Sequence, residues 1–398
     1  MLHPDRGAVS LGLLLPLGIS FYTFQSMGYL IDQYRDSGEG EKNFFKFLLF
    51  VSFFPQLIQG PINRFGQMKP QFDAEHSFCW EKAKHALFLM LFGLLKKYAI
   101  ADLLSGTVAA ILDAPGSDMP GSVIVAGILM YSAQQYADFS GGIDLVLGIA
   151  ELFGIEMMPN FRQPYFAVSL ADFWRRWHIT LGTWMKDYIF YPMSLSKKMN
   201  KFGKWGKKHF GNTFGRTLPI CFANIVIFFI VGIWHGAAWK YIAYGLYNGF
   251  IIAISNLLEP VYKKLLSKFH INATSRGWTL WQIIRTFILV NIGWYFDMAD
   301  SVSQALCMIR WSIQGLSFSQ LNSSLLDLGI EARDYIIIIA GCIIVFIISV
   351  LKEKGIAIRE SIAAKPLAVR WIAYYALIAV ILIFGYIGAT QGFIYANF

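Results

Sequence analysis

Two histidines sit in stretches where an imidazole is costly to place. His235 lies in VGIWHGAAWKYIAYGLYNGF (231–250), among aromatic, aliphatic and glycine residues. His178 lies in DFWRRWHITLGTWMKDYIFYP (172–192), which mixes tryptophans with arginine, lysine and aspartate. Ionisable groups set in membrane-like sequence are expensive and are functional candidates by default. Imidazole titrates at about 6.5, close to working pH, so it can draw a proton from a poor nucleophile such as an alcohol. A positioned base of this kind contributes about 10²- to 10⁴-fold. A neutral imidazole at His178 could instead polarise a carbonyl or stabilise the oxyanion that develops on it. The competing reading is structural for both. His235 would be a buried ring hydrogen-bonded to a neighbouring helix, and His178, beside Arg175, Arg176 and Trp177, an interfacial one.

Other side chains join these two as candidates. Arg175 and Arg176 match phosphate geometry and could hold an anionic donor, or equally set topology. Trp174, Trp234, Trp239, Asp138 and Asn248 complete the set expected near substrate or donor. Each has a plainer reading: Trp174, like Trp177 and Trp184, as an aromatic-belt anchor, and Asn248, like Asn224, as an interhelical hydrogen bonder. Asp138 (in YADFSGG) and Asp172 need partners in their apolar surroundings. Asp138 is expected in a structural ion pair with an arginine, or fixing a histidine tautomer. No H-x-x-x-H spacing, no P-loop frame and no dinucleotide glycine motif occurs, so a metal or nucleotide mechanism is not expected. Cys79, Cys221, Cys307 and Cys342 are scattered without paired spacing and read as small core residues.

The elements that must carry these residues are hydrophobic. Of 398 residues, 56% are hydrophobic and 15% charged, with a mean hydropathy of +0.49. Soluble domains hold about 45–50% apolar and about 25% charged residues. The sequence therefore predicts an all-α, multi-pass membrane protein with about ten hydrophobic segments, some broken or re-entrant. They run roughly 8–30, 44–60, 84–111, 121–137, 143–158, 217–234, 238–258, 278–297, 335–351 and 370–388. A net charge of +9 could suggest nucleic acid, but the lysines cluster in connections between hydrophobic segments, so no nucleic-acid partner is expected. The connection 196–216 is basic without an acid and reads as a cytoplasmic loop, as do 259–276 and 352–370. The acidic stretch 112–122 reads as outside. Residues 217–258 then form a helical hairpin with His235 near its turn, away from the cytosol, while His178 lies nearer to it.

Several blocks resemble, in order, the membrane-bound O-acyltransferase family. They are LPLGISFYTFQSMGYLID (15–32), FVSFFPQLIQGPINR (50–64), QQYADFSGGIDLVLGIAELFGI (134–155), MPNFRQPYFAVSLADFWRRWHITLGTWMKDYIFYPM (158–193), IVGIWHGAAWKYIAYGLYNG (230–249) and the weaker GWYFDMAD (293–300). The likeness is to the bacterial branch that exports acyl groups to envelope polymers. Within it the alginate and peptidoglycan O-acetylation type stands nearest, and the teichoic acid D-alanyl transfer proteins form a sister group. The resemblance implies a bundle around a central tunnel, forming a single membrane-embedded domain with a catalytic core at 159–258. His235 matches the family's near-invariant histidine, and His178 matches its second characteristic position. Members of this branch carry further hydrophobic segments ahead of the block that here begins at Leu15, so a shortened N-terminus is expected.

The implied activity is O-acyl transfer, of acetyl by preference, from a cytosolic thioester to a hydroxyl of an envelope polysaccharide or partner protein. D-alanyl transfer is the alternative. No bound cofactor is expected; acetyl-CoA or an acyl-carrier thioester is the donor. Expected partners are the bilayer of the plasma membrane, an extracytoplasmic serine-esterase-like relay protein and a cytosolic acyl-carrier protein. Two other classes remain: a histidine-lined transporter, whose inverted repeat is not visible, and a non-catalytic scaffold.

Overall fold

The computed structural model describes residues 18–36, 40–113, 119–318, 321–328, 331–385 and 392–393. Among these every regular element is a helix, with a lone backbone bridge between Phe161 and Trp177 in place of any sheet. The start of the expected segment 8–30, the middle of the acidic connection 112–122 and the end of 370–388 lie outside the described residues.

The first part of the chain is a set of short helices. α1 (Ile19–Asp36) is followed by α2 (Phe44–Ser52), α3 (Phe54–Leu57) and α4 (Phe65–Asp73). The expected segment 44–60 is therefore broken. Phe53 takes an extended conformation ahead of Pro55, whose ring cannot continue a helix from α2. α5 (Trp80–Lys96) runs through a π-turn at Lys97–Ala101 into α6 (Asp102–Asp113).

The segments expected at 121–137 and 143–158 are one helix, α7 (Gly121–Leu152). The helix stays whole through Asp138 because a cation is supplied from the end of α5 and the π-turn that follows it. Lys97 Nζ lies 2.6 Å from Asp138 and 2.8 Å from Asp102, and Lys96 Nζ lies 2.7 Å from Asp144. Both Lys97 pairs are buried, and Asp144 is half-buried beside the buried Lys96, a setting in which a carboxylate persists only with a partner.

Two linked stretches follow: the short helices α8 (Leu170–Arg176), α9 (Ile179–Met185) and α10 (Tyr191–Ser194), then α11 (Lys197–His235). The basic stretch 196–216, expected as a loop, is helical from Lys197 and forms α11's first arm and the start of its second. The chain folds back at Gly211 (φ 79°), which a residue with a side chain adopts only under strain. The arms touch so closely that a Cβ on Gly215 would lie 2.1 Å from the Lys207 nitrogen. Lysine density alone could not separate a loop from a surface helix.

α12 (Trp239–Lys268) returns along α11, with Gly236–Ala238 as the turn of the expected hairpin. The packing is backbone to backbone: a Cβ on Gly245 would meet the Phe228 carbonyl oxygen at 2.2 Å. α13 (Arg276–Met298), α14 (Val302–Gln314), α15 (Leu321–Leu326), α16 (Ala332–Glu353), α17 (Ile358–Ala363) and α18 (Leu367–Phe384) complete the chain. Three helices, α11, α12 and α16, are long and apolar enough to cross a membrane; the full set of about ten spans is not reproduced among the described residues. The main core gathers Phe139, Phe173, Trp177, Phe228, Tyr244 and Trp294 from α7, α8, α11, α12 and α13.

Replacing Lys97 by methionine would leave Asp102 and Asp138 buried without their shared cation. The expected cost is about 3–5 kcal/mol, read as a lowered unfolding temperature in detergent. Lys263→Met, which removes an exposed pair with Glu259, should barely move it.

Candidate functional site

His178 occupies the junction between α8 and α9, and its position is set by backbone bonds on both sides. The Arg162 amide donates to the Arg176 carbonyl (2.9 Å) and the Ile179 amide donates to the Asn160 carbonyl (3.0 Å). The segment 160–162 thus runs beside 176–179, and His178 turns the chain at φ 47°, ψ 52°. A left-handed residue that is not glycine costs on the order of 1–3 kcal/mol and persists only when its surroundings over-determine it. Ser169 caps α8 by accepting from the Asp172 amide, and Asp172 accepts from the Val168 amide, so the helix before the histidine is fixed at its start.

The tautomer of His178 follows from its neighbour. Asn160 is fully buried, and its Oδ1 accepts from the Thr180 amide (3.0 Å) and the Thr180 hydroxyl (3.0 Å). A backbone N–H can only donate, so that atom is the carboxamide oxygen and not its nitrogen. His178 Nδ1, 3.2 Å from the same oxygen, must therefore carry the proton. Nε2 then offers a lone pair. In this neutral tautomer the ring accepts a hydrogen bond at Nε2 and does not donate one there.

His235 ends α11, and Gly236 follows it at φ 152°. Its ring lies against Tyr241 (6.1 Å between centroids) and meets Tyr244 edge-on (6.4 Å). Trp234 links the two histidines, its ring 4.9 Å from His235 and 5.9 Å from His178. Residues 57 positions apart in sequence thus flank one indole. Asp297, which the sequence reasoning did not single out, lies close enough for its charge to act on His235. It accepts from the Tyr131 hydroxyl at 2.7 Å and from Gln135 Nε2 at 3.3 Å. The block GWYFDMAD carried the only signal that could have found it.

A cavity of about 610 Å³ reaches His178 between α8, α9 and α11. Arg162, Arg175, Arg176 and Lys186 contribute to its wall, along with apolar Ile227, Phe228 and Val231. The arginines divide in role. Arg176 is tied to Asp172 (3.0 Å) and Glu353 (2.9 Å), joining α8 to the end of α16. Arg175, with its side chain 68% exposed and a longer contact to Asp172 (3.3 Å), stands towards solvent. Trp174 also lines the cavity and donates from its indole to Asn248 Oδ1 (3.0 Å), so Asn248 holds Trp174 in place.

The remaining candidates fall elsewhere. Asp138 is engaged by Lys97 in the ion cluster behind the site. Trp239 stands 78% exposed at the start of α12. Among the described residues there is no cluster of three metal-ligating side chains.

The sequence that builds this site has counterparts among known proteins. The model of the membrane-bound O-acyltransferase family matches residues 39–299, a stretch that contains both histidines. The chain is 35% identical to the probable alginate O-acetylase of Pseudomonas aeruginosa, over 78% of this chain and 54% of that protein. It is 33% identical to the peptidoglycan O-acetyltransferase of Helicobacter pylori, over 79% and 60%. A more distant relative is the teichoic acid D-alanyltransferase of Bacillus subtilis, at 27% over 74% and 70%. The chain spans little more than half the length of the alginate O-acetylases it matches.

The tautomer assignment can be read directly. Nitrogen-15 spectra of histidine-labelled protein should show His178 protonated at Nδ1. Asn160→Leu should release the ring to a mixture of tautomers, with loss of the Nδ1-protonated signal as the measure.

Proposed function

Because the chain belongs to the membrane-bound O-acyltransferase family, we propose that it transfers a short acyl group, acetyl by preference, from a cytosolic thioester to a hydroxyl acceptor beyond the membrane. The observation that carries this reading is the cavity with cationic side chains in its wall that reaches His178, with His235 across Trp234. The acceptor is the hydroxyl of a cell-envelope polysaccharide or of a partner protein, approached from the turn at Gly236–Ala238. The protein works as a multi-pass enzyme of the plasma membrane, with 159–258 as its catalytic core.

The donor enters with its phosphates against Arg162, Arg175 and Lys186, and its acyl arm lies along Ile227, Phe228 and Val231. His178 accepts a hydrogen bond at Nε2 and so fixes that arm. His235 takes the proton from the acceptor hydroxyl as its oxygen attacks the thioester carbonyl. The new C–O bond forms, the C–S bond breaks, and the proton passes to the departing thiolate. Holding both reactants in one cleft lowers the barrier further. A carrier-borne D-alanyl donor is the second reading, favoured by the D-alanyltransferase relative.

Purified protein supplied with labelled acetyl-CoA tests the proposal. His235→Ala should lower acyl turnover by about 10²- to 10⁴-fold with an unchanged unfolding temperature. Turnover near the wild-type rate would remove His235 as the base. Turnover with a D-alanyl carrier protein and none with acetyl-CoA would select the second reading. Arg175→Ala should raise KM for acetyl-CoA but leave KM unchanged for a short acetyl thioester that lacks phosphates. An equal effect on both donors would show that Arg175 does not meet phosphate.

A further inference from the structure

The helical hairpin at the start of α11 carries charge that the acyl-transfer reading does not use. Residues 197–216 hold six lysines and one arginine without an acid. None of these cations has a carboxylate partner among the described residues. The fold at Gly211 concentrates them, because it lays the first arm back against the second. Between the arms is a cavity of about 430 Å³, lined by Asn200, Lys204 and Lys207 on one side and Arg216 and Pro219 on the other. Three cations and an amide thus converge on one concave space.

The aromatic residues of the hairpin say what kind of surface it meets. Trp205, Phe210 and Phe214 are exposed, although Trp205 also stacks on Phe202 (5.7 Å). Exposed aromatic rings interleaved with lysines suit a membrane–water interface, where the ring sits at headgroup depth and the ammonium reaches phosphate. The second arm continues without interruption into the membrane-crossing stretch, with Ile220 and Phe222 exposed on it. The first arm is about 21 Å long at 1.5 Å per residue. It is too short and too charged to cross about 30 Å of hydrocarbon, so the hairpin it makes with the second arm stands at the membrane–water interface.

We propose that this hairpin is a binding site for anionic lipid, with a headgroup phosphate held by Lys204, Lys207 and Arg216 and with Trp205 and Phe210 seated among the headgroups. The charge pattern assigns it to the cytosolic leaflet. A soluble acidic protein would match the lysines but would leave the exposed rings, continuous with a lipid-facing helix, without apolar company. The lipid accounts for both.

The test places the full chain in nanodiscs of phosphatidylcholine and phosphatidylglycerol, with bromine on the acyl chains of one lipid or the other at equal mole fraction. The Trp205 signal is wild-type fluorescence less that of Trp205→Phe. Quenching of that signal should be about twofold stronger with brominated phosphatidylglycerol. The triple variant Lys204→Gln/Lys207→Gln/Arg216→Gln should lose the preference while keeping the wild-type elution volume. If the triple variant does not fold, Lys207→Gln alone should halve the preference. Equal quenching by the two lipids overturns the proposal, as does a preference that survives the substitutions. So does a Trp205 that neither lipid quenches but aqueous iodide does, with protection on adding an acidic carrier protein.

Discussion

One carboxamide oxygen governs the geometry of the site. Asn160 Oδ1 accepts from the Thr180 amide, the Thr180 hydroxyl and His178 Nδ1. Thr180 in turn accepts from the Ile62 amide at 3.0 Å, so the same knot ties in the strand-like segment after α3. These groups are buried, where each unmade hydrogen bond would cost about 1–3 kcal/mol. The strained backbone of His178 is affordable only because this network holds it. Its consequence is chemical: one ring nitrogen is committed as a donor, which puts the other in its acceptor form.

The same pressure shapes the rest of the molecule. In an apolar interior a charge is kept only with its counter-charge. Lys96 and Lys97 anchor α5 to α7 through Asp144 and Asp138, and Arg176 anchors α8 to α16 through Glu353. Apolar burial supplies little specificity among helices in lipid, so close approach does that work instead. Gly245 against Phe228 brings α12 onto α11 and sets Tyr244 beside His235. Polar ties and small residues, more than hydrophobic area, decide where the histidines stand.

Much of this was legible in the sequence, for identifiable reasons. Hydrophobic composition and the absence of strand-like alternation gave the helical membrane class. The loop charges placed a hairpin turn next to His235, and the turn falls at Gly236–Ala238. Other features depend on partners far apart in sequence. The continuity of α7 through Asp138 required Lys97, forty-one positions earlier. The tautomer of His178 required Asn160, whose single letter says nothing of three donors converging on it. Asp297 reached the vicinity of His235 only through the packing of α13. The basic stretch 197–216 carried the composition of a loop and the fold of a helix, since surface helices and basic loops share the same residues.

The central claim is that a thioester donor lies in the cavity between α8, α9 and α11 and presents its acyl carbon beside the two histidines. A cryo-electron microscopy map of the protein with a non-hydrolysable acetyl-CoA analogue tests it most directly. The account predicts density running from Arg162, Arg175 and Lys186, past Phe228 and Val231, to an acyl end next to His178 and His235. An empty cavity with the analogue bound elsewhere, or an acyl end remote from both rings, would contradict it.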